Sequence, residues 1–232
     1  QMLLSNLLNR GEPFSSLSLF AQDDVPTVSN LQLLIEQAWA LGFDEEAKYH
    51  FKNQTIYNTT QWIGSTEVVA LFRSFGIDTH LVNFTDDLPN LSRYTQLLYW
   101  VWHYFHDATP SNGSGVHISS KPPLYLQHNG HSRTIIGIEL KKRGELMLLV
   151  LDPSYLKYSI DKILEQRNFS ALRFSANRLE SNAQYQLVFP STAFLIPLEL
   201  RDQQKKITPL PVTHKDLVSP PKPKVQQKRV RR

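Results

Sequence analysis

Four stretches of the chain repeat apolar residues at the three-to-four-residue spacing of an amphipathic helix. Ser29 or Asn30 can cap the second stretch and Gly64 with Ser65 opens the third, because these residue types are favoured at helix starts. Gly42 and Gly76 follow the ends of these two stretches, as glycine commonly does after a helix. The pattern therefore predicts helices over about 2–8, 29–41, 64–75 and 92–106.

Strand-like runs dominate the second half of the chain. An alternating run occupies 77–84, and four further runs rich in β-branched and apolar residues occupy 124–127, 134–140, 146–151 and 184–189. Helices first and strands later are typical of an α+β domain. We therefore expect helices packed on a largely antiparallel central sheet.

Composition divides the chain near residue 206. Residues 201–232 hold ten of the 25 Lys and Arg residues but two of the 21 Asp and Glu residues, which leaves residues 1–200 with a net charge of −4. We predict a folded domain over 1–206 and a disordered basic tail rich in Pro, Lys and Arg over 207–232. The acidic body is a poor candidate for binding nucleic acid, whereas the basic tail could bind an import receptor.

The apolar runs are too short to cross a bilayer, so we expect no membrane partner. The sequence has no cysteine, which removes disulfides and thiolate metal sites. His128 with His131, and His103 with His106, have a spacing that a metal site could use. Zinc usually needs three or four ligands in recognised patterns, so we expect no metal and no cofactor. Six N-x-S/T triplets are too short a motif to indicate a secreted glycoprotein.

The densest polar cluster lies at 126–134, between apolar strands. A turn near Arg143 and Gly144 would bring His131, 12 residues before Arg143, to the same end of a hairpin as Asp152, nine residues after it. An offset of three residues is within reach of a bulge or of strand twist. A buried aspartate could then orient the imidazole, as in nucleophilic triads. Spacing alone favours the alternative, in which both residues end strands and do no chemistry.

Four segments of the chain resemble one known family. They are QMLLSNLL at 1–8, QWIGSTEV at 61–68, KPPLYLQHNGHSRTIIGIE at 121–139 and LLVLDP at 148–153. The series resembles the zinc-finger-containing ubiquitin peptidases, a papain-like family of cysteine peptidases shared with the proteases of the ubiquitin-fold modifier. The resemblance covers about residues 1–190 and implies a papain-like cysteine peptidase fold.

The resemblance implies a deubiquitinating peptidase that hydrolyses isopeptide bonds after the C-terminal glycine of ubiquitin. It implies His131 as general base and Asp152 as its orienting partner. The family's nucleophilic cysteine precedes the segment that matches residues 1–8, so the chain is expected to be a fragment that is inactive alone. Gln127 is a candidate oxyanion donor, although a strand residue that satisfies its own backbone is the alternative.

The same resemblance implies that Asp44, Trp62 and Glu67 bind the C-terminal tail of ubiquitin, whose arginines would pair with carboxylates. The alternative for Trp62 is core packing. For the two acidic residues it is helix N-terminal charge. The residues alone leave these readings about equally favoured.

Ser154 separates the members of the family. The modifier proteases have an Asp-Pro-His segment whose histidine completes the triad, whereas here Ser154 follows Asp152-Pro153. This difference favours ubiquitin or polyubiquitin as partner, with chains joined through lysine 63 of ubiquitin implied by the resemblance. A modifier protease and a catalytically dead ubiquitin-binding module remain alternatives. We expect the protein in nucleus and cytoplasm.

Overall fold

The computed structural model describes residues 1–20, 24–85, 91–106, 115–128, 130–175 and 184–220, without the side chains at 193 and 194. Its α-helices are α1 (Met2–Leu8), α2 (Val28–Ala40), α3 (Ser65–Ser74), α4 (Arg93–Phe105) and α5 (Lys157–Glu165). Its strands are β1 (Ile77–Phe84), β2 (Leu124–His128), β3 (His131–Leu140), β4 (Leu146–Leu151), β5 (Arg173–Phe174) and β6 (Tyr185–Leu195).

The strands form one sheet in the order β1-β6-β2-β3-β4-β5, and every neighbouring pair runs antiparallel. The prediction of helices on a largely antiparallel sheet is confirmed. Strands β2, β3 and β4 are consecutive hairpin neighbours, so the chain between them turns at both ends of the sheet. The candidate site lies at the end where β2 passes into β3 and β4 ends.

The predicted helices are present with small changes at their ends. Helix α2 begins at Val28, one residue before the predicted start, because the Thr27 hydroxyl accepts a hydrogen bond from the Asn30 amide at 3.3 Å. Helix α3 begins after Gly64, whose amide donates to the Glu67 carboxylate at 2.6 Å. Such side-chain partners satisfy amides that a helix start leaves without a carbonyl.

Two strands are longer than predicted, and one helix was missed. Strand β3 begins at His131, three residues before the predicted start, and β6 continues to Leu195. Helix α5 was not among the predicted helices, although its Ile160, Ile163 and Leu164 recur at helical spacing, and none of its residues is buried.

The two faces of the sheet carry different helices. Helix α4 packs on one face, against apolar residues of β1 to β6 that include Leu126, Ile135 and Leu187. Helices α1, α2 and α3 form the second cluster, which Tyr125 joins from the other face of β2. None of the helices in the described ranges is long and apolar enough to span a membrane.

The predicted domain boundary at residue 206 stays a prediction, and part of the predicted tail lies against the domain. Residues 207–218, here called the C-terminal strap, contact the domain: Ile207 packs against buried clusters, and the Leu210 amide donates to the Leu81 carbonyl at 2.7 Å on β1, an edge strand. The Val218 carbonyl lies 2.8 Å from His103 Nε2 on α4. Apolar residues between the prolines supply this packing, which composition alone obscured. Residues 221–232 lie outside the described residues.

Arg73 fastens the chain just before the strap. Its Nε and Nη2 atoms donate to the Thr79 carbonyl at 3.0 and 2.8 Å, and Nη1 donates to the carbonyls of Gln204 and Lys206 at 3.2 Å each. The residue is 6% exposed. Burial lowers the pKa of its guanidinium, and the nearby Asp78 carboxylate opposes this shift. A buried cation therefore joins α3 and β1 to the start of the C-terminal strap.

Candidate functional site

The site begins with the turn between β2 and β3. His128 pairs with His131 across this turn, and Gly130 has a φ of +74°, a conformation that glycine adopts without strain. A Cβ atom at Gly130 would lie 3.3 Å from the Trp62 ring. The turn therefore needs its glycine, and Trp62 lies directly against it.

A β-bulge in β3 determines which side chains share a face at this end. The register shifts by one residue between Ile135 and Gly137, so that Thr134 pairs with Leu151. Continuing this register sets Asp152 opposite Arg133 and two residues from His131. Side chains two residues apart on a strand point to the same face, so His131, Arg133 and Asp152 share one face. The extra residue in β3 reduces the offset between His131 and the residue opposite Asp152 from the expected three residues to two.

The carboxylate of Asp152 is fully engaged. Oδ2 accepts from Arg133 Nε at 2.6 Å, and Oδ1 accepts from the Ser154 amide and hydroxyl at 2.9 and 2.7 Å. Burial alone would raise the pKa of Asp152, but the Ser154 and Arg133 hydrogen bonds outweigh it and leave the pKa below its ordinary value. Asp152 therefore stays ionised at neutral pH.

Arg133 links Asp152 to a second histidine. Its Nη1 atom forms a short hydrogen bond with His128 Nε2, and its guanidinium lies over the Phe174 ring, 5.0 Å from the centroid. Since an arginine donates and cannot accept, His128 Nε2 must be the unprotonated nitrogen. Sequence reasoning missed Arg133 and gave His128 no role in the site. The alternation of His131 and Arg133 on one face was the available signal.

His131 lies at the open end of this arrangement. The residue is exposed, and its ring centroid lies 6.2 Å from that of Trp62, edge to face, and 5.9 Å from that of His128. Within the described part of the chain, no hydrogen bond joins His131 to Asp152. The structure thus brings the two predicted residues to the same end and face of the hairpin without pairing them.

Gln127 lies on the opposite face of the sheet. It pairs with Ser132 rather than with His131, and its Oε1 accepts from the Tyr125 hydroxyl at 2.6 Å. This is the face that packs against α1, α2 and α3. Its predicted oxyanion role stays a prediction.

The three residues expected to bind a tail lie in two places. Trp62 is 70% exposed, so it is not a core residue. Glu67 is 5% exposed and accepts from Gly64 and, at 3.2 Å, from the Thr66 hydroxyl. Thr66 also hydrogen-bonds Asp44. Burial raises the pKa of Asp44, although this hydrogen bond opposes the shift. Glu67 therefore has the contacts of a helix cap, while Asp44 and Trp62 keep accessible surface. Binding by all three stays a prediction.

A largely apolar cavity of about 470 Å³ opens beside the hairpin end. One wall comes from α2 and α3. The other combines the start of α1 with β3 and the residue after Asp152, and it includes Gln1, Met2, Ser132, Arg133 and Pro153. The start of α1 and the hairpin residues Ser132 and Arg133 therefore line the same cavity. Among the described residues there is no group of three or more metal-ligating side chains.

Comparison with known proteins identifies relatives of the whole folded region. The family model described as Peptidase family C78 matches residues 1–188. The chain is 36% identical over 211 residues to zinc finger-containing ubiquitin peptidase 1 of Homo sapiens, covering 88% of this chain and 35% of that protein. It is 30% identical over 169 residues to ubiquitin carboxyl-terminal hydrolase mug105 of Schizosaccharomyces pombe, covering 72% and 64%.

A solved structure, the crystal structure of UfSP from C. elegans, matches with a TM-score of 0.44 and 19% identity over 77% of this chain and 26% of that one. The chain spans about a third of the length of the mammalian relatives it matches.

Proposed function

The chain belongs to peptidase family C78, and we propose from this membership that it is the peptidase domain of a deubiquitinating enzyme. The reaction is hydrolysis of the isopeptide bond after the C-terminal glycine of ubiquitin. The observation that carries the proposal is the shared face of His131 and Asp152 at one end of the sheet, produced by the bulge in β3.

The proposed chemistry is nucleophilic catalysis by a cysteine. The sequence holds none, so the nucleophile is proposed to precede Gln1 in a longer protein. Gln1 and Met2 line the same cavity as Arg133, so a residue just before α1 would approach the hairpin end. His131 would take the thiol proton and return it to the leaving amine, while Asp152 orients the ring. Gln127 is proposed to donate to the developing oxyanion.

The proposed substrate surface is the region around Trp62. An exposed indole beside the candidate base offers a flat apolar face, and Asp44 offers a carboxylate to an arginine of the ubiquitin tail. Glu67 would act from its position at the start of α3. Preference for chains joined through lysine 63 of ubiquitin is proposed from the resemblance.

Two probes test the substrate class. The longer protein, with its upstream cysteine, should react with an electrophilic ubiquitin probe, and His131→Ala should abolish this labelling. Reaction with a probe of the ubiquitin-fold modifier, and none with ubiquitin, would show that Ser154 is not a guide to the substrate. Asp152→Asn should slow labelling by at least tenfold if Asp152 orients the base.

The second candidate is ubiquitin binding without turnover, for which the exposed indole of Trp62 offers a contact surface. Calorimetric titration of this chain with ubiquitin should give binding that Trp62→Ala weakens. An upstream residue other than cysteine, read from the transcript, would then assign the protein to this second function.

The basic C-terminal end is proposed to bind a nuclear-import receptor, with the protein in nucleus and cytoplasm. Its last five residues, 228–232, read KRVRR. Replacing their four basic residues with Ala and following a fluorescent fusion would test this assignment.

A further inference from the structure

Both carboxylate oxygens of Asp152, the residue that would orient the base, already accept hydrogen bonds. Oδ1 receives two hydrogen bonds from Ser154, and Oδ2 receives the hydrogen bond from Arg133 Nε. The continued register sets Arg133 directly opposite Asp152, while His131 is its diagonal neighbour. Direct cross-strand neighbours lie closer than diagonal ones. Arg133 and His131 therefore compete for the same carboxylate oxygen, and Arg133 has the shorter approach.

We propose that Arg133 is a positioning residue that holds Asp152 in competition with His131. This inference rests on the proposed function, in which His131 needs Asp152. The guanidinium is held by His128 and by the Phe174 ring as well as by Asp152, so exchange requires the Asp152 side chain to turn while Arg133 stays. Only hydrogen bonds are exchanged, and no covalent bond changes.

The charge of His131 determines which partner Asp152 takes. A neutral imidazole competes poorly with a guanidinium for a carboxylate, because charge-assisted hydrogen bonds are about twice as strong as neutral ones. Once His131 has accepted a proton, it also carries a positive charge and can draw Asp152 from Arg133. Arg133 thus keeps His131 free of the carboxylate until the ring is protonated.

Other ionisable groups lie on β2 and on the helices that pack against the sheet. His128 lies on β2 beside His131, Tyr125 lies on the opposite face of β2, and Glu67 belongs to α3. Burial raises the pKa of Tyr125, and the Glu67 carboxylate adds to this shift against a Ser132 hydrogen bond. The Gln1 amino group of this chain lines the neighbouring cavity.

A double-mutant cycle followed by NMR tests the competition in the chain as it stands. The signal of the His131 ring is assigned by its loss in His131→Gln. In Arg133→Gln, the released carboxylate should raise the midpoint of the His131 titration by about 0.5 to 1 pH unit, a three- to tenfold change in the ionisation constant. In Asp152→Asn alone, the midpoint should move by less than about 0.3, because Arg133 already occupies the carboxylate.

The double variant separates competition from simple charge removal. If Asp152 carries the effect, Arg133→Gln should cause no rise in the Asp152→Asn background. A rise that persists there, or no rise in Arg133→Gln itself, would overturn the proposal. Arg133→Lys keeps the cation but cannot reach both Asp152 and His128 through one planar group, so it should give a smaller rise and tests the idea if the Gln variant does not fold.

Arg173→Gln is the matched control, because Arg173 forms an ion pair with Glu139 along the same sheet, away from the hairpin end. Its midpoint should equal that of the unchanged chain. Ubiquitin-probe labelling of the longer protein is a separate readout. A titration shift in a protein that does not label would overturn the proposed function, whereas labelling without the shift would overturn this inference.

Discussion

Two arginines, Arg73 and Arg133, are held in opposite ways. Arg73 donates only to backbone carbonyls, of Thr79, Gln204 and Lys206. Arg133 binds two side chains, the carboxylate of Asp152 and the ring of His128. Carbonyls are fixed by the fold and do not titrate between pH 2 and 12, whereas a carboxylate can turn and an imidazole can gain a proton. The first arginine can therefore stabilise one structure, and the second can exchange partners.

The surroundings match this difference. Arg73 lies between α3, β1 and the segment before the C-terminal strap, where its hydrogen bonds join these three chain segments. Arg133 lies at a sheet end beside an open cavity, with 16% of its side chain exposed. The same residue type thus has a stabilising position in the core and an adjustable position at the candidate site.

The largest expected effect comes from removing the buried cation. Arg73→Met should lower the free energy of unfolding by about 3 to 5 kcal/mol, because the buried Thr79 carbonyl and the partly buried carbonyls of Gln204 and Lys206 lose their donor. Urea unfolding followed by circular dichroism measures this change. Arg133→Met is the comparison and should cost about 1 kcal/mol, since the side chains of Arg133 and Asp152 both keep some contact with water. Equal losses of unfolding free energy in the two variants would contradict the proposed difference between the two arginines.

The next effect concerns the C-terminal strap that Arg73 helps to hold. Leu210→Pro removes the amide that donates to the Leu81 carbonyl and should cost about 2 kcal/mol. Leu210→Ala keeps the amide, and because Leu210 is partly exposed, this variant should cost less than half as much. Hydrogen exchange at β1 should rise in the proline variant. A strap that contributes nothing would leave both variants as stable as the parent chain.

A smaller effect depends on pH and concerns Asp152, the carboxylate partner of Arg133. The pKa of Asp152 is lowered in the folded chain, so its contribution to stability is present above the ordinary aspartate range near 3.8 and is lost as pH falls through the folded value. Asp152→Asn should therefore destabilise the chain by under about 1 kcal/mol at pH 7, and the difference should vanish at lower pH. A gap that widens with falling pH would contradict this sign.

The smallest expected effect is at an exposed ion pair. Arg173 Nε lies 2.6 Å from Glu139 Oε2, and both side chains are more than a third exposed. Exposed pairs contribute little, so Arg173→Gln should leave the unfolding free energy close to that of the unchanged chain. Thermal melts at low and high salt measure it. A loss as large as that of Arg133→Met would mean that position in the fold does not separate these arginines.

The sequence predicted the elements well where one periodicity dominated. Helix α1, strand β1 and strand β4 have the predicted bounds, because apolar spacing and neighbouring turns agree there. Helix α5 was missed although its Ile160, Ile163 and Leu164 recur at the spacing of an amphipathic helix. The strap was taken for a disordered tail because proline and lysine mask its buried contacts.

At the candidate site, the sequence placed His131 and Asp152 at one end of a hairpin and anticipated that a bulge could bring them together. It did not find Arg133 as the present partner of Asp152. That pairing depends on the one-residue shift between Ile135 and Gly137, which no local pattern in the sequence marks. Contacts set by register across strands are harder to read from sequence than contacts within a helix.

Because of the bulge, two regions of the hairpin differ in how well they tolerate the deletion or insertion of residues. Removing one residue from 135–137 would put His131 and Asp152 on opposite faces, since each one-residue slip reverses every later side chain. The turn between Leu140 and Leu146 lies about 20 Å along β3 from Thr134, because six residues separate Thr134 from Leu140. A short peptide tag or a fluorophore inserted there would leave the strand pairing intact, so this turn is the natural attachment point for reporters of events at the hairpin's other end.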